Sequence, residues 1–177
     1  MNAFLTSRRR WLQATALGAL PLPALAAPTP VAPTPVAPTP VAPDASERLL
    51  PSSTDLPRDL AAALARKEPL VVLATLRGCP YCKIAREHYL LPLQRAGACV
   101  TQIHFLSDGL LRDWSGTPIA HGALVRQLGI EVAPTVLFYG PGHKEVAERL
   151  AGSYIPDFYG AYLDQRMEQA RAALRRG

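Results

Sequence analysis

Apolar and polar positions fall in blocks whose period changes along the chain. Leu70-Val71-Val72-Leu73-Ala74 is an uncharged run rich in β-branched residues, and it predicts a buried strand over Leu70–Thr75. From Lys83 to Leu93 the apolar residues Ile84, Tyr89, Leu90 and Leu93 have helical spacing. A helix is therefore predicted from Cys79 to Ala96, with Pro80 at its first position and Pro92 as a candidate kink. Leu56–Arg66 reads as a helix with Pro57 near its start, and Cys99–Leu106 as a second strand carrying Val100, Ile103 and Phe105. Ser107–Thr117 reads as a loop, and Pro118–Leu128 as a helix ended by Gly129. Thr135–Tyr139 and Glu145–Leu150 read as a hairpin over Gly140-Pro141-Gly142, and Phe158–Arg175 as a closing amphipathic helix. A strand–helix–strand crossover pairs its strands in parallel, while a hairpin pairs them antiparallel. The expectation is an α/β domain over residues 56–177, a central mixed sheet flanked by helices.

The first third of the chain carries no such periodicity. Ser7-Arg8-Arg9-Arg10-Trp11-Leu12 precedes an uncharged stretch, Ala14 to Ala27, that ends in Ala24-Leu25-Ala26. This resembles a twin-arginine export signal, with a small-x-small cleavage pattern near Ala26 or Ala27. Fourteen residues interrupted by Gly18, Pro21 and Pro23 are too short to span a bilayer comfortably. The alternatives are a basic tail with an incidental alanine-rich stretch, and an uncleaved anchor. Residues 28–43 repeat Pro-Thr-Pro-Val-Ala, and 7 of these 16 residues are proline. They read as a polyproline II spacer within a linker over 28–55, spanning about 50 Å if extended at ~3.1 Å per residue. A ligand for a proline-recognition module is the weaker reading. The formal charge of +5 includes Arg8, Arg9 and Arg10, the only charges before position 28; without them the net charge is +2. That balance, with no aromatic-basic motif, gives no support for nucleic-acid binding.

The chemistry concentrates in Gly78-Cys79-Pro80-Tyr81-Cys82-Lys83, where the first strand hands over to a helix N-terminus. Cys79 there faces the positive end of the macrodipole, which favours thiolate, the form that attacks disulfides. Cys82, three positions on, shares a helix face and is within reach of a disulfide with Cys79. The competing reading is half of a zinc site. Structural zinc takes four Cys or His ligands, and this chain offers one cysteine pair, a lone Cys99 and four scattered histidines.

Strand, Cys-Pro-Tyr-Cys and helix, followed by Val132-Ala133-Pro134-Thr135 entering a strand, resemble the thioredoxin fold over residues 56–175. The resemblance implies that Pro134 is cis and lies against the active-site pair, and that the Ala133 backbone pairs with an extended substrate. It implies Cys79 as exposed nucleophile and Cys82 as buried resolving thiol. The Cys79–Cys82 disulfide is then the working group, with no metal or organic cofactor. Protein disulfides or dithiols are the implied substrates, a membrane dithiol carrier the redox partner, and the periplasm the compartment, with the chain a monomer. Cys82 to Pro134 spans 52 residues, too few for the helical insertion of periplasmic disulfide oxidases. That favours a reductase over an oxidase or isomerase, while a non-catalytic binding module is the rival from another class.

One departure stands out: the buried acid that many thioredoxins carry six residues before the first cysteine is here Leu73. Glu87 lies on the helix and is given no such role. Arg77 and Lys83 flank the pair as thiolate-stabilising candidates or as ordinary surface charges, and Tyr81 as a substrate contact. Cys99 reads as a core thiol, with a third redox partner as the alternative. His88, His104, His121 and His143 show no ligand spacing. Trp114 is a candidate for a substrate rim or for loop packing, and Tyr154, Phe158, Tyr159 and Tyr162 for core and rim aromatics.

Overall fold

The computed structural model describes residues 45–152 and 156–176. The expected signal, the proline repeat and Tyr154 lie outside the described residues. Four strands form the central sheet: β1 (Leu70–Thr75), β2 (Cys99–His104), β5 (Thr135–Tyr139) and β6 (Glu145–Ala151), in the order β2-β1-β5-β6. β1 pairs with β2 in parallel, and with β5 antiparallel; β5 and β6 form the expected hairpin. Gly142 turns that hairpin at φ 69, a conformation that glycine adopts without steric cost. Helices α1 (Leu56–Ala65), α2 (Pro80–Ile84), α3 (Leu91–Arg95), α4 (His121–Gln127) and α5 (Pro156–Arg176) complete the order. This is a mixed sheet flanked by helices, the thioredoxin-like arrangement that the resemblance implies.

All six β1 residues are buried, so the strand has no solvent face, and its alternation sorts side chains between two helical layers. Leu70, Val72 and Ala74 pack with Leu56 and Leu60 of α1 and with Leu124 and Val125 of α4. Val71 and Leu73 face the other way, onto Leu90 and onto Leu163, Met167 and Ala170 of α5. At ~25 cal/mol per Å2 of apolar surface, each such side chain stabilises by roughly 1.5–3 kcal/mol.

Three departures from the sequence reading have physical causes. First, the helix over 80–95 is continuous but changes register. Between α2 and α3, Ala85–Leu90 is π-helical, and the Leu91 amide reaches back five residues to the Arg86 carbonyl. Pro92 has no N–H to continue the regular ladder, which explains a wider turn immediately before it. Second, the expected loop and helix over 107–128 contain a hairpin, β3 (Leu110–Arg112) against β4 (Pro118–Ala120), and only His121–Gln127 is helical. The side chain of Asp113 drives the turn. Its Oδ1 accepts from the Ser115 and Thr117 amides, both at 2.9 Å, and Gly116 sits at φ 81. Third, the linker was expected to reach residue 55, yet the fold already includes Ala45–Arg48 as a 3-10 turn with Ser46, Leu50 and Ser53 buried. Gln102 of β2 pairs with the 51–53 segment through its backbone: its amide donates to the Pro51 carbonyl and its carbonyl accepts from the Ser53 amide, both at 2.9 Å.

Candidate active site

The site forms where the C-terminal end of β1 meets the loop before β5. Cys79 is the N-cap of α2, with extended backbone, and its Sγ accepts from the Cys82 amide at 3.3 Å. A thiolate in that position receives an amide donor and faces the positive end of the helix. Cys79 is half-buried and Cys82 is 0% exposed. The Ala133–Pro134 peptide is cis, and the Ala133 carbonyl lies 4.0 Å from Cys79 Sγ. Hydrogen bonds from Thr135 Oγ1 to the Val132 carbonyl (2.6 Å) and from the Gly152 amide to the Pro134 carbonyl (2.7 Å) fix that loop. Sequence reasoning named these four residues from two segments 50 positions apart, and the fold brings them together.

Burial pushes the Cys82 thiol up to about 11. The Leu76 amide, 3.5 Å from its Sγ, works against that rise, and so does the hydroxyl of Thr75. The amide closes a hydrogen bond to the sulfur, and the Thr75 hydroxyl does not. Leu73, at the position of the family's buried acid, is itself fully buried in the α5-facing layer. Tyr159 of α5 lies on the same side. Its ring centroid is 4.9 Å from that of Tyr89, and burial first, with Cys82 adding, holds its phenol above the ordinary tyrosine range.

The remaining candidates are dispersed. Tyr81 is 54% exposed beside the pair, and Val132 is 43% exposed across the groove. Arg77 pairs with Glu47, at 3.8 Å, and lines a groove of about 440 Å3 with Ser52, His104 and His121. Lys83 reaches Glu87 at 4.0 Å, one turn along. Both flanking cations thus have carboxylate neighbours that offset their pull on a thiolate. Trp114 packs on Tyr139 (4.6 Å) and stacks on His143 (5.1 Å), so loop packing is its role. Cys99 opens β2 opposite Leu70, at the far end of β1 from the pair, a separation of roughly 16 Å along the strand. It is half-buried against the core, and burial raises its pKa. Among the described residues no three His, Cys, Asp or Glu side chains cluster in a way that could hold a metal ion.

One buried residue escaped the sequence reading. Arg86 is 1% exposed, and its guanidinium donates to Thr75 Oγ1 (2.7 Å), Ser46 Oγ (2.8 Å) and Gln102 Oε1 (3.2 Å). The available signal was its spacing: four residues beyond Cys82, a helical side chain shares its face.

No family model matches the chain, and no curated protein matches it in sequence. Solved structures similar to it include thioredoxin O2 from Arabidopsis thaliana in the oxidised state, at 21% identity and a TM-score of 0.41, covering 67% of this chain and 93% of that one. A thioredoxin from Thermus thermophilus has 23% identity and a TM-score of 0.43, covering 67% and 85%. A DsbH oxidoreductase has 13% identity and a TM-score of 0.47, covering 82% and 95%. The thioredoxin-like fold itself rests on the strand order, the strand directions and the position of the cis proline given above.

Proposed function

We propose that the chain is an exported thiol-disulfide oxidoreductase, acting as a reductase of protein disulfides. The observation that carries this reading is the pairing of a half-exposed, N-capping Cys79 with a fully buried Cys82, against the Ala133–Pro134 loop. In the forward direction the Cys79 thiolate attacks one sulfur of a substrate disulfide. A Cys79–substrate bond forms, the substrate S–S bond breaks, and the departing sulfur takes up a proton. Cys82 then attacks Cys79; the intramolecular disulfide forms and the second substrate thiol leaves. The substrate gains two electrons and two protons, and the pair loses them. A membrane dithiol carrier of the same chemistry would restore the dithiol. Tyr81 and Val132 offer apolar surface to an extended segment, and the Ala133 backbone offers hydrogen bonds to it. The reductase direction is supported by the short span between the pair and Pro134, which holds only the end of the helix, β2, the β3–β4 hairpin and α4. Residues 1–27 supply the twin-arginine signal in this reading, with the monomeric domain working in the periplasm.

Insulin reduction by dithiothreitol should accelerate with the protein present, and Cys79→Ser should abolish the acceleration. A reduction potential near about −270 mV suits a reductase, and one near about −120 mV would reverse the assigned direction. Arg8→Lys with Arg9→Lys should leave the precursor in the cytoplasm; normal export of that variant would remove the twin-arginine assignment.

A further inference from the structure

We infer that Arg86 is a positioning residue for the resolving thiol: by donating to Thr75 Oγ1 it turns the Thr75 hydroxyl proton toward Cys82 Sγ. The inference rests on the disulfide-exchange reading above. A guanidinium has five N–H donors and no acceptor, so the direction of its 2.7 Å bond to Thr75 is unambiguous. With that lone pair of Thr75 occupied, its O–H proton points elsewhere. The alternation of β1 puts Thr75 on the same face as Val71 and Leu73, the face covered by the 80–95 helix. Cys82 and Arg86 stand one turn apart on that helix, with Thr75 presented to both. The site therefore has a cation and a hydroxyl near Cys82, where the resemblance implies an acid. Among the described residues the hydrogen-bond acceptors of this cation are neutral: the hydroxyls of Thr75 and Ser46 and the amide oxygen of Gln102. Burying such a group is costly unless its donors are satisfied, and here each of the three guanidinium nitrogens donates one hydrogen bond, three of the five N–H groups in all.

The arrangement matters at one step. When a substrate is linked to Cys79, Cys82 must give up its proton and attack the Cys79 sulfur; the Cys79–Cys82 bond forms, the Cys79–substrate bond breaks, and the leaving thiolate takes up a proton. Burial opposes the required Cys82 thiolate. A hydroxyl unable to rotate toward the cation is left to close on that thiolate as it forms, and so stabilises it. A family-type acid would move the proton itself; this pair instead lowers the cost of the anion.

The test uses the full-length chain carrying Cys99→Ser, reduced with excess thiol and freed of it by gel filtration, then mixed with the aromatic disulfide 5,5′-dithiobis(2-nitrobenzoate). Two equivalents of chromophore should be released, the first by Cys79 and the second by Cys82. Thr75→Val should leave the first phase unchanged and slow the second about tenfold at pH 7, with its pH midpoint raised by about 1 unit. Thr75→Ser should restore both. Arg86→Gln should slow the second phase alone. Since Arg86 also ties down Ser46, Thr75→Val keeps the test independent of any loss of folding in that variant. An unchanged second phase in Thr75→Val, or equal slowing in Thr75→Ser, overturns the inference. A wild-type chain that releases no second equivalent overturns the exchange reading instead.

Discussion

The two thiols of the Cys79–Cys82 pair should differ in alkylation by orders of magnitude when reduced, and the difference can be worked from their surroundings. Cys82 is 0% exposed, and burial moves its thiol from an ordinary 9.0 to about 11. At pH 8 a thiol of pKa 9 is about one-tenth ionised, and one of pKa 11 about one-thousandth. Ionisation alone therefore slows Cys82 about 100-fold relative to a free cysteine, before steric exclusion by the helix is counted. Iodoacetamide followed by peptide mapping should find Cys79 modified first. The Cys82 rate should climb about tenfold per pH unit up to pH ~11. The same shift appears in stability. Because the folded-state pKa lies above the unfolded one, the folded chain holds this proton more tightly. The resulting stabilisation is complete below pH 9 and is lost as pH rises through 11. Two pH units correspond to roughly 2–3 kcal/mol. Tyrosines titrate in the same range, so the comparison is between wild type and Cys82→Ala, each unfolded in urea at pH 8, 9, 10 and 11. The gap between them should shrink toward high pH by that amount. A constant gap, or Cys82 alkylated at pH 8 as fast as in the urea-unfolded chain, would refute the reasoning.

Two further outcomes follow from the packing. His121 is buried edge-on to His104, with ring centroids 5.3 Å apart, and burial lowers its pKa to about 4, with His104 adding. The unfolded chain then takes up this proton first, so up to about 3 kcal/mol of stability should be lost as pH falls from 6.5 to 4; urea midpoints across that range should fall less steeply in His121→Gln. Gly122 leaves no room for a side chain, since an added Cβ would stand 2.6 Å from the Phe105 carbonyl oxygen. Gly122→Ala should therefore cost about 1–3 kcal/mol by urea unfolding, and an unchanged midpoint would mean that this approach of α4 to the loop after β2 is looser than described.

What was legible in the chain was whatever repeats locally. A run such as Leu70–Ala74 has one period and one burial pattern, so both the strand and its central place could be read from composition alone. The Cys79–Cys82 spacing and the Ala-Pro-Thr before β5 carried the site through resemblance, because each motif includes the turn that positions it. The β3–β4 hairpin was not legible in the same way. Its strands have only three residues each, too short for alternation to show, and its turn is set by the side chain of Asp113 reaching to the Ser115 and Thr117 amides. The start of the domain was missed for a related reason. Residues 45–55 have little apolar content, and what holds them is polar: Arg86 grips Ser46, and the Gln102 side-chain amide donates to the carbonyls of Glu47 and Leu50.

Those missed contacts converge on one group. Gln102 stands in register with Leu73 on the neighbouring strand, and both it and Thr75 present side chains to the helix face that carries Arg86. Among the described residues no carboxylate hydrogen-bonds to that guanidinium, and its neutral acceptors come from β1, β2 and the 45–48 turn. A segment that reads in sequence as spacer thus supplies an acceptor to the guanidinium one turn from Cys82. This ties the chemistry of Cys82 to the packing of residues 45–53.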